Sequence, residues 1–328
     1  MDQPEHRNSG DLEDVDRQRL ALLVKAQQEP LEPLAAAISR SRSKPLYLTI
    51  VLTSVVGIFI IATLVFFFVL PRSQSDYSPT LSTPNFPANI NQGGSTAAIK
   101  HEMIFIPGGT FKMGRDDGPP QERPSHSVAV EGFFLDNTEV TNAEYAEFVR
   151  DTKYQPPSHW LGSEPVAGQE QWPVVNVSPE DARAFAAWRS KRDGVEYRLP
   201  TEEEWEYAAR SAGEYQLYPW GNRFEEKRAV VKEARPRPVG SYPQGANRWG
   251  VLDLIGNVWE WTSSKASLYS GGSAAIPGVS KEWVVARGGS YLSDPNNSEI
   301  PVSATYRDWY EPTLRHPNFG FRLVRSAQ

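Results

Sequence analysis

The chain has 328 residues, with 34 basic and 40 acidic side chains, a net charge of −6 and a pI near 5.5. That balance offers no basic face to a phosphate backbone, so nucleic acid is excluded as a partner. Cysteine is absent, which excludes disulfides, thiolate metal sites and a thiol nucleophile but leaves the compartment open.

Residues 1–44 read as a nearly neutral cytoplasmic tail with eight acids and seven bases. Leu12, Val15, Leu20, Leu22, Leu23 and Val24 allow a short helix over 11–29, either docking on a partner or solvated. A transmembrane helix is expected over 45–70, where residues 46–70 carry no charge. Twenty-five helical residues rise about 37 Å, enough to cross a hydrocarbon core of about 30 Å. A buried core helix would show a polar stripe. A cleaved leader would be shorter, nearer the start and followed by a small-residue cleavage site. Arg40, Arg42 and Lys44 precede the span and Arg72 alone follows it in the next stretch. The positive-inside rule then puts the N-terminus in the cytoplasm and the remainder outside. The expected placement is a single pass in a bacterial inner membrane, contacting the lipid bilayer through 46–70, with the C-terminal part periplasmic or extracellular. Residues 71–98, rich in Ser, Pro and Asn, read as a flexible linker spanning about 30 Å root-mean-square.

Residues 99–328 form the expected folded domain. All 10 tryptophans of the chain lie after residue 159, and 27 prolines and 24 glycines point to irregular backbone fixed by large aromatic anchors. Helices are expected after Thr141-Asn142-Ala143-Glu144, after Ser178-Pro179-Glu180-Asp181 and after Thr201-Glu202-Glu203-Glu204, each a capping signal ahead of an apolar face. Gly194 and Gly213 are expected to end the second and third. Strands are expected at Met103–Ile106, Ser127–Val130, Phe133–Leu135, Trp283–Arg287 and Phe319–Val324, with no alternation long enough for a large regular sheet.

Eight ordered stretches cover essentially all of 103–325. They include Ile106-Pro107-Gly108-Gly109-Thr110-Phe111, Thr138-Glu139-Val140-Thr141-Asn142, Arg198-Leu199-Pro200-Thr201-Glu202-Glu203-Glu204-Trp205, Gly256-Asn257-Val258-Trp259-Glu260-Trp261, Arg287-Gly288-Gly289-Ser290 and Gly320-Phe321-Arg322. In these the chain resembles the formylglycine-generating enzyme, or sulfatase-modifying factor, family. The resemblance implies an α+β fold, an elaborated C-type lectin-like domain with much irregular structure.

The family's enzymes oxidise a substrate cysteine with copper held by two thiolates; at those two places this chain has Ser293 and Ser298. Soft Cu(I) selects sulfur over neutral hydroxyls, so no copper and no formylglycine generation are expected. A serine nucleophile would need a base within reach; His316 is nearest in sequence. His6, His101, His126, His159 and His316 show no ligand spacing. The resemblance implies one calcium site at Asp253, Gly256, Val258 and Glu260, two by carboxylate and two by carbonyl oxygen. The other reading of the same loop pairs Glu260 with a buried arginine and puts Trp259 and Trp261 in the core. The family's further calcium loop meets Ala229-Val230-Val231 here, where valine removes a ligand.

Arg287, Ser290, Tyr306, Arg307 and Trp309 are expected near the family's peptide groove, with structural ion pairs and a core tryptophan as the competing reading. The function expected is a non-catalytic, membrane-anchored binding or scaffold subunit, partnered by subunits of a larger membrane complex such as a respiratory or photosynthetic one. The alternatives are an enzyme of changed chemistry in the old groove and a calcium-dependent, lectin-like module binding glycan or peptide.

Overall fold

The structure, a computed structural model, describes residues 102–213, 216–273, 282–297 and 300–327. The chain divides into two units, Met1–Ser95 and Thr96–Gln328, and every described residue belongs to the second. The expected tail (1–44), transmembrane helix (45–70) and linker (71–98), as well as Ser298, lie outside the described residues. Among the described residues no helix is long and apolar enough to cross a membrane.

Among the described residues, three α-helices form where side chains satisfy the first free amides. In α1 (Asn142–Thr152) the Thr141 hydroxyl accepts from the Glu144 amide at 3.3 Å, and the Glu144 carboxylate accepts from the Thr141 amide at 2.8 Å. Ser178 with Asp181 opens α2 (Pro179–Asp193), and Thr201 with Glu204 opens α3 (Glu202–Ala209), in the same reciprocal way. Left-handed Gly194, φ +72°, closes α2 as expected. Gly213 does not close α3. That helix stops at Ala209, and Ser211 and Ala212 take the left-handed turn (φ +54° and +51°), with the Ser211 hydroxyl donating to the Pro219 carbonyl at 3.1 Å.

Among the described residues, nine strands make three small sheets. Strands β1 (Met103–Ile106), β4 (Phe133–Asp136) and β9 (Val324–Ser326) are antiparallel with β4 central. Strands β2 (Gly109–Met113) and β3 (His126–Val130) form a two-stranded ribbon. The third sheet has the order β7 (Arg307–Tyr310), β6 (Val284–Arg287), β5 (Trp259–Lys265), β8 (Phe319–Gly320), with the β5–β8 pair parallel. The expected single strand 319–324 is therefore two. Phe321, Arg322 and Leu323 leave one sheet and enter the other, and at that crossing Arg322 finds its buried partners. Strands β2, β5 and β7 were not expected. In β7 the residues facing inward are Arg307 and Trp309, so no apolar alternation announces it.

The core has two clusters. One packs Tyr145 and Phe148 of α1 and Phe185 of α2 onto Trp261, Phe319 and Phe321, with Tyr145 and Phe185 stacked at 5.6 Å. The other gathers Phe111, Phe133, Trp205, Tyr207, Leu254 and Val324. Trp259 and Trp261 are both core residues.

Candidate functional site: a buried charge network beneath a proline-walled cleft

On α3, residues four apart share one face, so Glu202, Glu206 and Arg210 align on the side turned into the protein. Register across β5, β6 and β7 sets Glu260, Arg287 and Arg307 side by side. Arg287 donates from Nη2 to Glu206 at 2.9 Å and Glu202 at 3.2 Å, and from Nη1 to the carbonyls of Thr305 and Tyr306 at 3.1 and 3.3 Å. Arg307 donates to Glu202 at 2.6 Å and the Ser267 carbonyl at 2.9 Å, with its guanidinium 4.3 Å from the Tyr269 ring centroid. Burial pushes the Glu202 carboxyl above its ordinary value, and the two guanidiniums oppose that shift.

The expected groove wall is corrected by this placement. Arg287 and Arg307 are 0 % exposed, Ser290 and Tyr306 1 %, and Trp309 5 %. The arginines are turned inward because two buried glutamates of α3 require counter-charges there. Ser290 instead accepts from the Asn318 amide at 3.1 Å.

Ser293 is half-buried. Its hydroxyl accepts from the Ser290 amide at 3.0 Å, and the Lys232 amide donates to its carbonyl at 3.1 Å. His316 is hydrogen-bonded to Asn318, whose side-chain amide in turn donates to Ser290. The segment after Ser293 borders an open cleft of 620 Å³. Pro295, Asn296, Asn297 and Pro301 form one wall; Arg115 and the run 117–121 form the other. Arg115 donates from Nε to the fully buried Glu122 at 2.7 Å, and Glu122 accepts again from the Thr305 hydroxyl at 2.8 Å. Gly118 lies directly on that pair: a Cβ there would sit 2.6 Å from Arg115 Nε and 2.7 Å from Glu122 Oε2. The cleft is thus joined through Glu122 and Thr305 to Arg287.

The Asp253–Glu260 loop lies at a second buried cluster. Glu260 accepts from Arg322 Nη2 on one oxygen and from Arg322 Nε and Trp205 Nε1 on the other, all at 2.7 Å. Arg322 also reaches the carbonyls of Asp136 and Leu252. Asp253, in the left-handed region at φ +57°, accepts from the Gly240 amide at 2.5 Å. Its charged neighbour is Glu139, fully buried, whose Oε1 accepts from Asn257 Nδ2 at 2.9 Å and whose Oε2 receives no donor. Burial raises both carboxyls above their ordinary values; the nearby Asp253 and Glu260 charges push Glu139 further up, while the Gly240 amide, Arg322 and a hydrogen bond with the Glu139 carboxyl oppose the rise at Asp253.

The profile of the sulfatase-modifying factor enzyme 1-like domain matches residues 92–327. The chain belongs to that family. It is 34 % identical to the inactive C-alpha-formylglycine-generating enzyme 2 of Mus musculus over 69 % of this chain and 86 % of that one. It is 31 % identical to the formylglycine-generating enzyme of Mycobacterium tuberculosis, over 68 % and 97 %. Among solved structures, PvdO from Pseudomonas aeruginosa shares 31 % identity with a TM-score of 0.57, over 68 % of this chain and 94 % of that one.

Both inactive and active relatives thus sit in the family. Of the family's implied metals, copper does not fit a chain without cysteine, where the described serine of the pair bonds a backbone amide. The implied calcium set fits in part. Asp253 presents a carboxylate, and Gly256 at φ +81° and Asn257 at φ +53° bend the loop tightly. Glu260 fits only in part, because Arg322 and Trp205 take three of its four lone-pair positions. Val230, in the family's further calcium loop, is buried and hydrogen-bonded by its carbonyl to Asn257. No group of three or more His, Asp or Glu side chains poised for a metal occurs among the described residues. Sequence reading passed over Arg115, Gln121, Asn296 and Asn297, which lie in unpatterned loops. It also passed over Glu139, whose only signal was its place inside a family motif.

Proposed function

We propose that this chain is a non-catalytic binding or scaffold subunit, anchored in a membrane by residues 46–70. Its family domain, carried outside the cytoplasm on a Ser/Pro/Asn-rich tether, grips a protein partner in a larger membrane complex. One observation carries the non-catalytic half: the chain has no cysteine, and the Ser293 hydroxyl, standing where a copper thiolate belongs, accepts from the Ser290 amide. The likeness to an inactive formylglycine-generating enzyme 2 supports the same reading. The cleft supports the binding half. Its volume holds a few residues of extended chain, its prolines offer apolar, pre-set walls, and Asn296, Asn297 and Gln121 offer amides to a peptide backbone.

The test is a photo-crosslinking residue placed at Gln121 or Asn296 in the full chain, followed by purification from mild detergent. A partner crosslinked at those positions and co-purified stoichiometrically is the expected result. A lone monomer in every detergent, or turnover of a cysteine peptide with bound copper, would overturn the proposal.

A further inference from the structure

Strand β1 lies at one edge of its sheet, with β4 on one side and no strand among the described residues on the other. The ladder fixes which of its backbone groups face outward. The Asn137 amide donates to the Glu102 carbonyl, and the Asp136 amide donates away from β1 to the Leu323 carbonyl, both at 2.9 Å. Leu135 stands opposite Ile104 and Phe133 opposite Ile106. The alternation of an antiparallel pair therefore turns the backbone groups of Ile104 and Ile106 toward β4 and those of Met103 and Phe105 away from it. The amides and carbonyls of Met103 and Phe105 line the free edge, and no backbone bond among the described residues reaches them there. Within β1 all four side chains are apolar, and Phe105 is 47 % exposed, its ring 5.2 Å from that of Phe134. No charge, proline or bulge blunts this edge against another strand. Other edges are guarded. Across the same sheet, Val324 of β9 exchanges backbone bonds of 2.8 and 3.0 Å with Arg198, and Arg325 follows it. In the third sheet the edge strand β7 carries Arg307 and Asp308.

We propose that a second copy of this chain adds its own β1 to this edge, antiparallel, with the two-fold axis between the two Ile104 residues. The register follows from what the edge offers. Met103 of each copy stands opposite Phe105 of the other, each such pair exchanges two N–H···O=C bonds, and every outward group of both strands is used. A register moved toward the C-terminus sets Met103 opposite Pro107, which has no N–H and whose carbonyl already accepts from the Tyr207 hydroxyl at 3.0 Å. One moved toward the N-terminus carries Phe105 past the start of the facing strand. On the outer face the exposed Phe105 ring gains the second copy's Met103 as a neighbour, opposite Phe134 on its other side. Glu102 of each copy stands opposite Ile106 of the other, so the two carboxylates lie at opposite ends of the pair. The chain preceding β1 fits the same arrangement, because the two N-terminal segments of an antiparallel pair leave at opposite ends and do not collide. The inference rests on the sheet edge and is independent of the cleft and of the membrane anchor.

A chain without cysteine allows a direct test. Opposed residues of a non-hydrogen-bonded antiparallel pair have Cα atoms about 4.5 Å apart, within the range of about 4.4–6.8 Å that a disulfide spans. The full chain carrying Ile104→Cys, purified in mild detergent and oxidised, is expected to give a disulfide-linked dimer as its main product. Ser326→Cys, exposed in β9 at the opposite edge of the sheet, controls for two chains meeting at random in one micelle and is expected to stay unlinked. Adding Met103→Pro to Ile104→Cys removes an outward N–H and leaves the β1–β4 bonds intact, so linkage should fall to the level of the Ser326→Cys control. In light scattering corrected for detergent, the unsubstituted chain is expected at twice the protein mass of the Met103→Pro chain. An Ile104→Cys chain that links no faster than Ser326→Cys overturns the pairing, as does linkage that survives Met103→Pro. Linkage of Ile104→Cys to a different protein overturns the choice of partner. If either β1 variant does not fold, the mass of the unsubstituted chain decides, and a monomer's mass overturns the proposal.

Discussion

Arg322 shows what one buried side chain organises. It meets Glu260 through two donors, and it also satisfies the carbonyls of Asp136 and Leu252, so three segments depend on one guanidinium. Removing one member of such a pair strands the other charge in the interior, whereas replacing both with apolar groups does not. Arg322→Met is therefore expected to lower unfolding free energy by about 3–5 kcal/mol in urea titrations, and Arg322→Met with Glu260→Met to recover most of that loss. Equal instability of the single and double variants would show that packing, not charge, holds this position. Arg287 belongs to the same class of residue. Its motif was visible in the sequence, yet its burial against Glu202 and Glu206 was not, because those acids lie more than eighty positions earlier.

Among the elements, the helices were the most legible, because a cap is a local event within four residues. Thr141, Ser178 and Thr201 each close a reciprocal pair with the residue three further on. The start of α2 also carries a pH dependence. Burial pushes the Asp181 carboxyl up, but Arg315 at 2.7 and 2.8 Å, the Ser178 amide at 2.7 Å and the Tyr154 hydroxyl at 3.0 Å more than offset this and hold it below its ordinary 3.8. A carboxyl depressed in the folded state stabilises the protein at and above that ordinary value, and the contribution is lost as the pH falls below it. Asp181→Asn should therefore reduce stability at neutral pH and flatten its decline below about pH 4, read by urea unfolding at several pH values. A parallel decline in both proteins would exclude Asp181 as the source. Strands were less legible for a physical reason. In β7 an arginine and a tryptophan face inward, and in β5 the residues Trp259 to Thr262 are buried on both faces, so the period of two is absent.

Across the whole molecule, the two core clusters meet where the chain changes sheets between β8 and β9. Phe321 sits at that crossing, fully buried, with its ring 5.5 Å from Phe185 and 6.4 Å from Tyr145. Phe321→Ala should cost about 3–5 kcal/mol, with the denaturant slope unchanged if the fold persists around the cavity. A loss under about 1 kcal/mol would mean that neighbouring rings collapse into the space. Sequence alone settles the missing thiols, the uncharged stretch at 46–70, the order of the family motifs and the three helix starts. Each is a matter of composition or of residues a few positions apart. The inward turn of Arg287 and Arg307, the engagement of Glu260 by Arg322 and the exposure of Glu139 to Asp253 required the folded chain. They join residues 62 to 114 positions apart, and no local preference selects which carboxylate a distant guanidinium will meet.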